Sequence, residues 1–200
     1  MKTFLLAALA PIALTLGLAQ AAPKAAPLPS DSVYQLNAPL VDQQGRKLRL
    51  ADKRGKVQLV SMFYTSCKFI CPLIIDSGRA IERSLTPAEQ QKLGILLISM
   101  DPRRDTPTKL ATVFNRRKLE PARWTFASPT PDDVRAIAGV LGIRYRQLED
   151  GEFNHTSALV LLDANGRILA RTEQMGTRPD PEFLAAVRKA LVAPAAKPKR

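Results

Sequence analysis

The chain has 200 residues, 46% of them hydrophobic, a formal net charge of +12 and only two cysteines. That length can bury one substantial core, and two cysteines are too few to frame a small coreless fold. The basic residues fall in small groups, Arg103-Arg104, Arg116-Arg117-Lys118 and the Lys197 to Arg200 tail, with no stripe of stacking aromatics between them. This argues against nucleic acid and leaves an acidic protein partner, anionic lipid headgroups or solubility as reasons for the charge.

Met1-Lys2-Thr3 precedes an apolar run from Phe4 to Ala19, and Ala19-Gln20-Ala21 ends it with small residues at the first and third positions. A short positive start, an apolar middle and an Ala-x-Ala end predict a cleaved secretory signal over residues 1–21, with an uncleaved N-terminal anchor as the alternative. The expected compartment is the periplasm. Residues 22–31 read as a Pro/Ala-rich extended linker, residues 32–192 as the domain and residues 193–200 as a disordered basic tail.

Within the domain, Val33–Leu36 and Leu48–Leu50 are strand candidates around a turn at Asp42–Gly45, forming an N-terminal hairpin. Val57–Tyr64 reads as a strand buried on both faces. Pro72 suits a first helical turn, so a helix is expected from Pro72 to Leu85, with Cys71 at its boundary and Leu73, Ser77, Ala80, Ile81 and Leu85 on its packing face. A second helix, Pro87–Lys92, leads into a buried strand, Leu93–Ser99. Thr106 is placed to cap a helix from Pro107 to about Arg117. Trp124–Phe126 is a short strand, Thr130 caps a helix over Pro131–Val140, and Gly142 stops it. Residues 143–154 form a loop or hairpin ending at His155. Ser157–Leu162 and Arg167–Ala170 flank a turn, and Pro181–Leu191 is a final amphipathic helix. The order predicts an α/β domain, a central sheet flanked by helices with an additional N-terminal β-hairpin.

Chemistry concentrates in Tyr64-Thr65-Ser66-Cys67-Lys68-Phe69-Ile70-Cys71-Pro72, which holds both cysteines, between a core strand and its helix. In an α/β sheet this is the carboxyl edge, where sites collect, and in a thioredoxin-like architecture it is the redox position. Cys67 and Cys71, four apart, could form a structural disulfide, a dithiol redox couple, or a soft site for copper with the lone histidine, His155. A helix start favours the thiolate, so lowered thiol pKa values are expected at Cys71 and Cys67. Asp101 and Asp105 are read as turn and cap chemistry, Met62 and Met100 as packing, and Met175 as a remote candidate for assisting Cu(I).

Phe63-Tyr64-Thr65-Ser66-Cys67 through Cys71-Pro72, Asp101-Pro102-Arg103-Arg104-Asp105-Thr106-Pro107, Trp124 and Asn154-His155-Thr156-Ser157 together resemble the SCO/SenC family of thioredoxin-fold copper proteins, which support assembly of cytochrome c oxidase. The resemblance implies a thioredoxin-like fold and one copper ion per chain, Cu(I) or Cu(II), held by Cys67, Cys71 and His155; because ligand exchange needs an accessible metal, a shallow exposed site is expected. It also implies a partner, the copper-receiving subunit of the oxidase or another periplasmic copper chaperone, and a monomer is expected. Lys68 stands where the family commonly has proline, and Asn154, which can orient His155 by a neutral hydrogen bond, where it commonly has aspartate. The alternative is a thiol-disulfide reductase using Cys67 and Cys71 to keep a target's copper-ligand cysteines reduced. A binding module with a structural disulfide is a further alternative, and Tyr64 three positions before Cys67 argues against a peroxide-reducing enzyme.

Overall fold

The computed structural model describes residues 26–67 and 70–192. The predicted signal segment, residues 22–25 of the linker, the C-terminal tail, Lys68 and Phe69 lie outside the described residues. Residues 26–31 lie against the domain, where Arg54 donates to the Ala26 carbonyl at 2.5 Å and Gln35 to the Pro29 carbonyl at 3.2 Å.

The strands are Pro39–Asp42 (β1), Lys47–Arg49 (β2), Val57–Phe63 (β3), Leu93–Ser99 (β4), Trp124–Pro129 (β5), Tyr145–Gln147 (β6), Phe153–His155 (β7), Leu159–Leu162 (β8) and Ile168–Thr172 (β9). The α-helices are Ile70–Arg83 (α1), Pro87–Lys92 (α2), Pro107–Arg116 (α3), Val134–Val140 (α4) and Pro181–Val192 (α5). Seven strands form one sheet in the order β2-β1-β5-β4-β3-β8-β9, and β6 and β7 pair only with each other. β3, β4 and β5 are parallel, while β1 and β8 join antiparallel on either side. Every residue of β3, β4 and β5 is buried, as expected for a sheet centre covered on both faces. This is a thioredoxin-like core with an N-terminal hairpin added through β1.

Right-handed crossovers from β3 to β4 and from β4 to β5 place α1 and α3 on one face. Side chains join them, since Arg117 pairs with Asp76 at 3.1 Å and Arg79 donates to the Arg117 carbonyl at 3.2 Å. The turn after α1 meets α5, where Arg188 donates to the Ser84 carbonyl at 2.8 Å. The seat of α1 on the sheet is tight at Gly78, where an added Cβ would lie 2.7 Å from Trp124 Cη2. Glu82, one turn on, accepts the Trp124 indole N–H at 3.1 Å and pairs with Arg123 at 2.5 Å. The register and azimuth of α1, and with them the position of its cysteine, are set by this contact.

Several elements differ from expectation. α1 begins at Ile70, so Cys71 lies inside the first turn, and Pro72 still falls among the helix-start positions whose N–H would have no partner. Of the expected packing face Ser77, Ala80, Ile81 and Leu85 are buried, joined by Cys71, Ile74, Ile75 and Gly78, whereas Leu73 is 38% exposed. Val33–Gln35 is a 3-10 turn rather than a strand, because Ser32 accepts the Tyr34 N–H at 3.1 Å and the Val33 N–H turns to the Gly166 carbonyl at 2.9 Å. The first strand of the hairpin is therefore β1. Pro131–Asp133 is also a 3-10 turn, and the Thr130 hydroxyl donates to Asp133 at 2.6 Å instead of capping an N–H. Gly142 does end α4, at φ +64°.

Two substitutions test this framework. Gly78→Ala gains up to about 1 kcal/mol of helix propensity, but overpacking costs roughly 1–3 kcal/mol. With the indole fully buried and unable to retreat, the expected result is a lowered urea midpoint; an unchanged or raised midpoint would show that α1 can slide on β5. Asp42 closes the β1–β2 turn, accepting from Gln44 N–H at 2.8 Å, Arg46 N–H at 2.9 Å and Arg46 Nε at 2.8 Å. Burial pushes its pKa up, but the Arg46 and Gln44 hydrogen bonds together outweigh burial and hold it below the usual value. A carboxyl depressed in the folded state stabilises the fold above its unfolded pKa and loses that contribution as pH falls through the folded value. Asp42→Asn should be less stable by about 1–2 kcal/mol at neutral pH, and the gap should close as acid titrates the wild-type carboxylate. A gap independent of pH would assign the loss to turn geometry instead.

Candidate metal centre

The turn between β3 and α1 is fixed from outside. The Thr65 N–H donates to both carboxylate oxygens of Asp105 at 3.1 Å, and the Thr65 hydroxyl bonds the same group. Ser99, at the end of β4, donates to the other side of that carboxylate at 2.6 Å. Asp105 is fully buried, and burial raises its pKa despite the Ser99 and Thr65 hydrogen bonds.

The cysteines follow from this anchor. Cys71 N–H points at Cys67 Sγ at 3.4 Å, and Tyr64 N–H points at Cys71 Sγ at 3.4 Å. The two thiols are side by side and not joined in a disulfide. Cys67 is half-buried and Cys71 is 2% exposed, so the site opens at Cys67 and is more recessed than a shallow exposed one. The expected lowering of the Cys71 thiol pKa is not found. Its hydrogen bond to Cys67 and its burial push it well up, against the lowering effect of the Tyr64 N–H. One helix terminus does not offset a buried thiol whose neighbour is a second sulfur.

His155 ends β7. Its Nδ1 lies 3.2 Å from the Thr156 carbonyl, and its Nε2 is buried with no hydrogen-bond partner among the described residues. A carbonyl can only accept, so Nδ1 carries the proton and the Nε2 lone pair is left unengaged. The orienting group is thus Thr156, not Asn154. Tyr64 connects the two halves of the site. Its hydroxyl is in hydrogen-bonding contact with Cys67 and meets the Phe153 N–H at 3.4 Å, and its ring lies edge-on to His155 at 6.0 Å between centroids. Burial, then Cys67, raises the phenol's pKa.

Among the described residues, no group of three His, Cys, Asp or Glu is close enough to hold a metal ion. The fold brings Cys67 and Cys71 together and sets His155 one tyrosine away, on the neighbouring surface with Arg144 and Glu173. The donor set nonetheless suits a soft metal, with two sulfurs adjacent and an imidazole nitrogen left without a partner. Met62 and Met100 are buried packing residues as expected, and Met175 packs against the core.

Sequence reasoning missed two structural roles in the Asp101–Pro107 segment. Asp105 clamps the cysteine turn, and Arg104 clips the β6–β7 hairpin. Arg104 pairs with Asp101, donates to the Gly151 carbonyl at 2.7 Å, reaches Glu152 at 3.2 Å, and lies 6.0 Å from the Tyr64 ring centre. The Glu152 pair is exposed enough to contribute little, so the carbonyl bond carries most of the clip. Arg104→Ala should speed amide exchange across residues 151–155 by about tenfold, more than it changes exchange in β4. Equal changes in both would mean that Arg104 supports the whole fold and not the hairpin.

The SCO1/SenC family model matches residues 32–192. The SCO2-like protein of Rickettsia felis is 25% identical over 138 residues, which is 65% of this chain and 64% of that protein, so the chain spans less than two thirds of that relative. The SCO1 protein homolog of Bacillus subtilis is 23% identical over 152 residues, 74% of this chain and 78% of that protein. The structure of Bradyrhizobium japonicum ScoI with copper bound aligns with a TM-score of 0.64 at 22% identity, over 76% of this chain and 96% of that one, a likeness that establishes a shared fold. No helix among the described residues is long and apolar enough to cross a membrane.

Proposed function

The chain belongs to the SCO1/SenC family, and on that premise we propose that it is a copper-binding chaperone whose cargo, one copper ion per chain, is held by Cys67, Cys71 and His155. The observation that carries the reading is His155 Nε2, buried without a partner among the described residues while Nδ1 is anchored to the Thr156 carbonyl. A buried polar atom left unsatisfied is costly, and a metal bond would relieve it. Further support comes from the ScoI relative, which was solved with copper bound. The intended recipient is the copper-receiving subunit of cytochrome c oxidase, and the compartment is the periplasm.

The residues divide the work. Cys67, the half-buried sulfur, is where an incoming or outgoing ligand reaches the ion. Cys71 holds its proton firmly until the metal displaces it, so loading releases a proton and weakens with acid. The β6–β7 hairpin pairs with no strand of the main sheet among the described residues and is held by Arg104 and Tyr64, so closing His155 onto the sulfurs would require a shift at those contacts. Two thiolates favour Cu(I), and the imidazole extends the site to Cu(II).

The reductase reading is favoured by one observation, two adjacent unjoined thiols of unequal exposure. In that role Cys67 attacks the target's disulfide and the buried Cys71 resolves the mixed disulfide.

Anaerobic titration of the reduced protein should end at one tightly bound copper per chain, and Cys67→Ser or Cys71→Ser should abolish tight binding. Losing a group that only orients a ligand costs about 10- to 100-fold in affinity; losing the ligand in His155→Ala should cost at least that for Cu(II) and change its electron paramagnetic resonance spectrum. Unchanged stoichiometry, affinity and spectrum in His155→Ala would remove the histidine from the site. No tight copper in the wild type would leave the reductase.

A further inference from the structure

The cleft beside the thiols, about 700 Å³, is lined by Thr65 and Ser66, by the apolar Pro72, Ile75 and Val113, and by Arg116 and Arg117. Arg116 on α3 and Arg117 at its C-cap are three and four positions after Val113 and so share one face with it. Among the described residues no carboxylate lines the cleft. The Arg117 guanidinium is engaged by Asp76, whereas Arg116 is exposed and forms no ion pair among the described residues.

From this geometry we infer that the cleft receives an acidic, cysteine-bearing segment of a partner polypeptide, with the backbone over Pro72, Ile75 and Val113, a carboxylate on Arg116 and the cysteine at Cys67. The inference deepens the proposed function, since either copper transfer or thiol exchange needs a partner sulfur at Cys67. An unpaired cation in a partly apolar cleft attracts a carboxylate and sets its register against the thiols, and the effect should weaken with salt. A flat array of lipid headgroups would meet the arginines but could not follow the cleft to the sulfurs.

The test uses the copper-free reduced protein and short synthetic peptides whose single cysteine carries thionitrobenzoate as a mixed disulfide, flanked by Glu, Ser or Lys. The Cys67 thiolate attacks the peptide sulfur, a Cys67–peptide disulfide forms, the old S–S bond breaks, and thionitrobenzoate leaves with the electron pair as a coloured anion. The Cys67 proton goes to buffer. At low salt the Glu peptide should react about tenfold faster than the Ser peptide, and the Lys peptide slowest. Arg116→Glu should erase this preference. Arg135→Glu, the same change in net charge at an exposed position of α4, should keep most of it. Reaction with a small uncharged disulfide should be equal in all three proteins, which separates docking from any change in Cys67 itself. Equal losses in Arg116→Glu and Arg135→Glu would overturn the inference in favour of a protein-wide field that any anionic surface, vesicles included, could exploit. So would a wild type with no preference. Because no copper is present, failure of the copper reading leaves this result readable, and normal copper binding without a peptide preference would sink the docking alone.

Discussion

Asp105 has no exposed surface and forms no ion pair among the described residues; its charge is balanced only by hydrogen bonds from Thr65 and Ser99. A buried carboxylate in that position makes its donors obligatory, because any that left would expose an acceptor to a medium that cannot solvate it. The ends of β3 and β4 are thereby tied to each other through one side chain. Thr65 is two residues before Cys67, so the turn that delivers the outer sulfur takes its geometry from this tie. Arg104, immediately before Asp105, clips the hairpin that carries His155, and Thr106, immediately after, accepts the Lys109 N–H to start α3. Three residues in a row thus place the three surfaces that meet at the site.

The thiol pair shows how burial can reverse a local rule. A cysteine in the first turn of a helix sees partially positive N–H groups, and on an exposed helix that would favour the thiolate. Here Cys71 faces inward, its neighbour is another sulfur, and the charge of Asp105 also opposes ionisation. The proton stays between two sulfurs until something stronger replaces it. A metal cation does so while supplying the positive charge that the buried thiolate lacks, whereas a solvent base offers no such compensation.

Much of the scaffold was legible because its signals are local. Pro87–Lys92 and Leu93–Ser99 have the bounds expected of them, the first from a capping arrangement between Thr86 and Glu89 and the second from an unbroken apolar run. The segment of residues 143–154, read as a loop or hairpin, is the β6–β7 hairpin. The errors came where contacts distant in sequence decide the outcome. Val33–Leu36 has strand-forming residues, but Asn165 and Gly166 hold Ser32 and Val33 in a turn. The Asp105–Thr65 contact spans 40 positions and leaves no periodic trace. Cys67, Cys71 and His155 could be chosen by residue type, yet the tyrosine lying between the sulfurs and the imidazole could only be seen once the chain was folded.

The seat of α1 also determines what light can report about this molecule. The chain has a single tryptophan, Trp124, fully buried against Gly78 with its indole N–H on Glu82. Its emission therefore registers the contact between α1 and the sheet, not the sulfur atoms at the helix's far end. A shift of its emission on loading with closed-shell Cu(I), which does not quench at a distance as Cu(II) does, would mean that the helix had shifted as a body, while silence would place the whole event in the turn, Tyr64 and the hairpin. The protein carries a built-in optical gauge that separates rearrangement of the site from displacement of the helix beneath it.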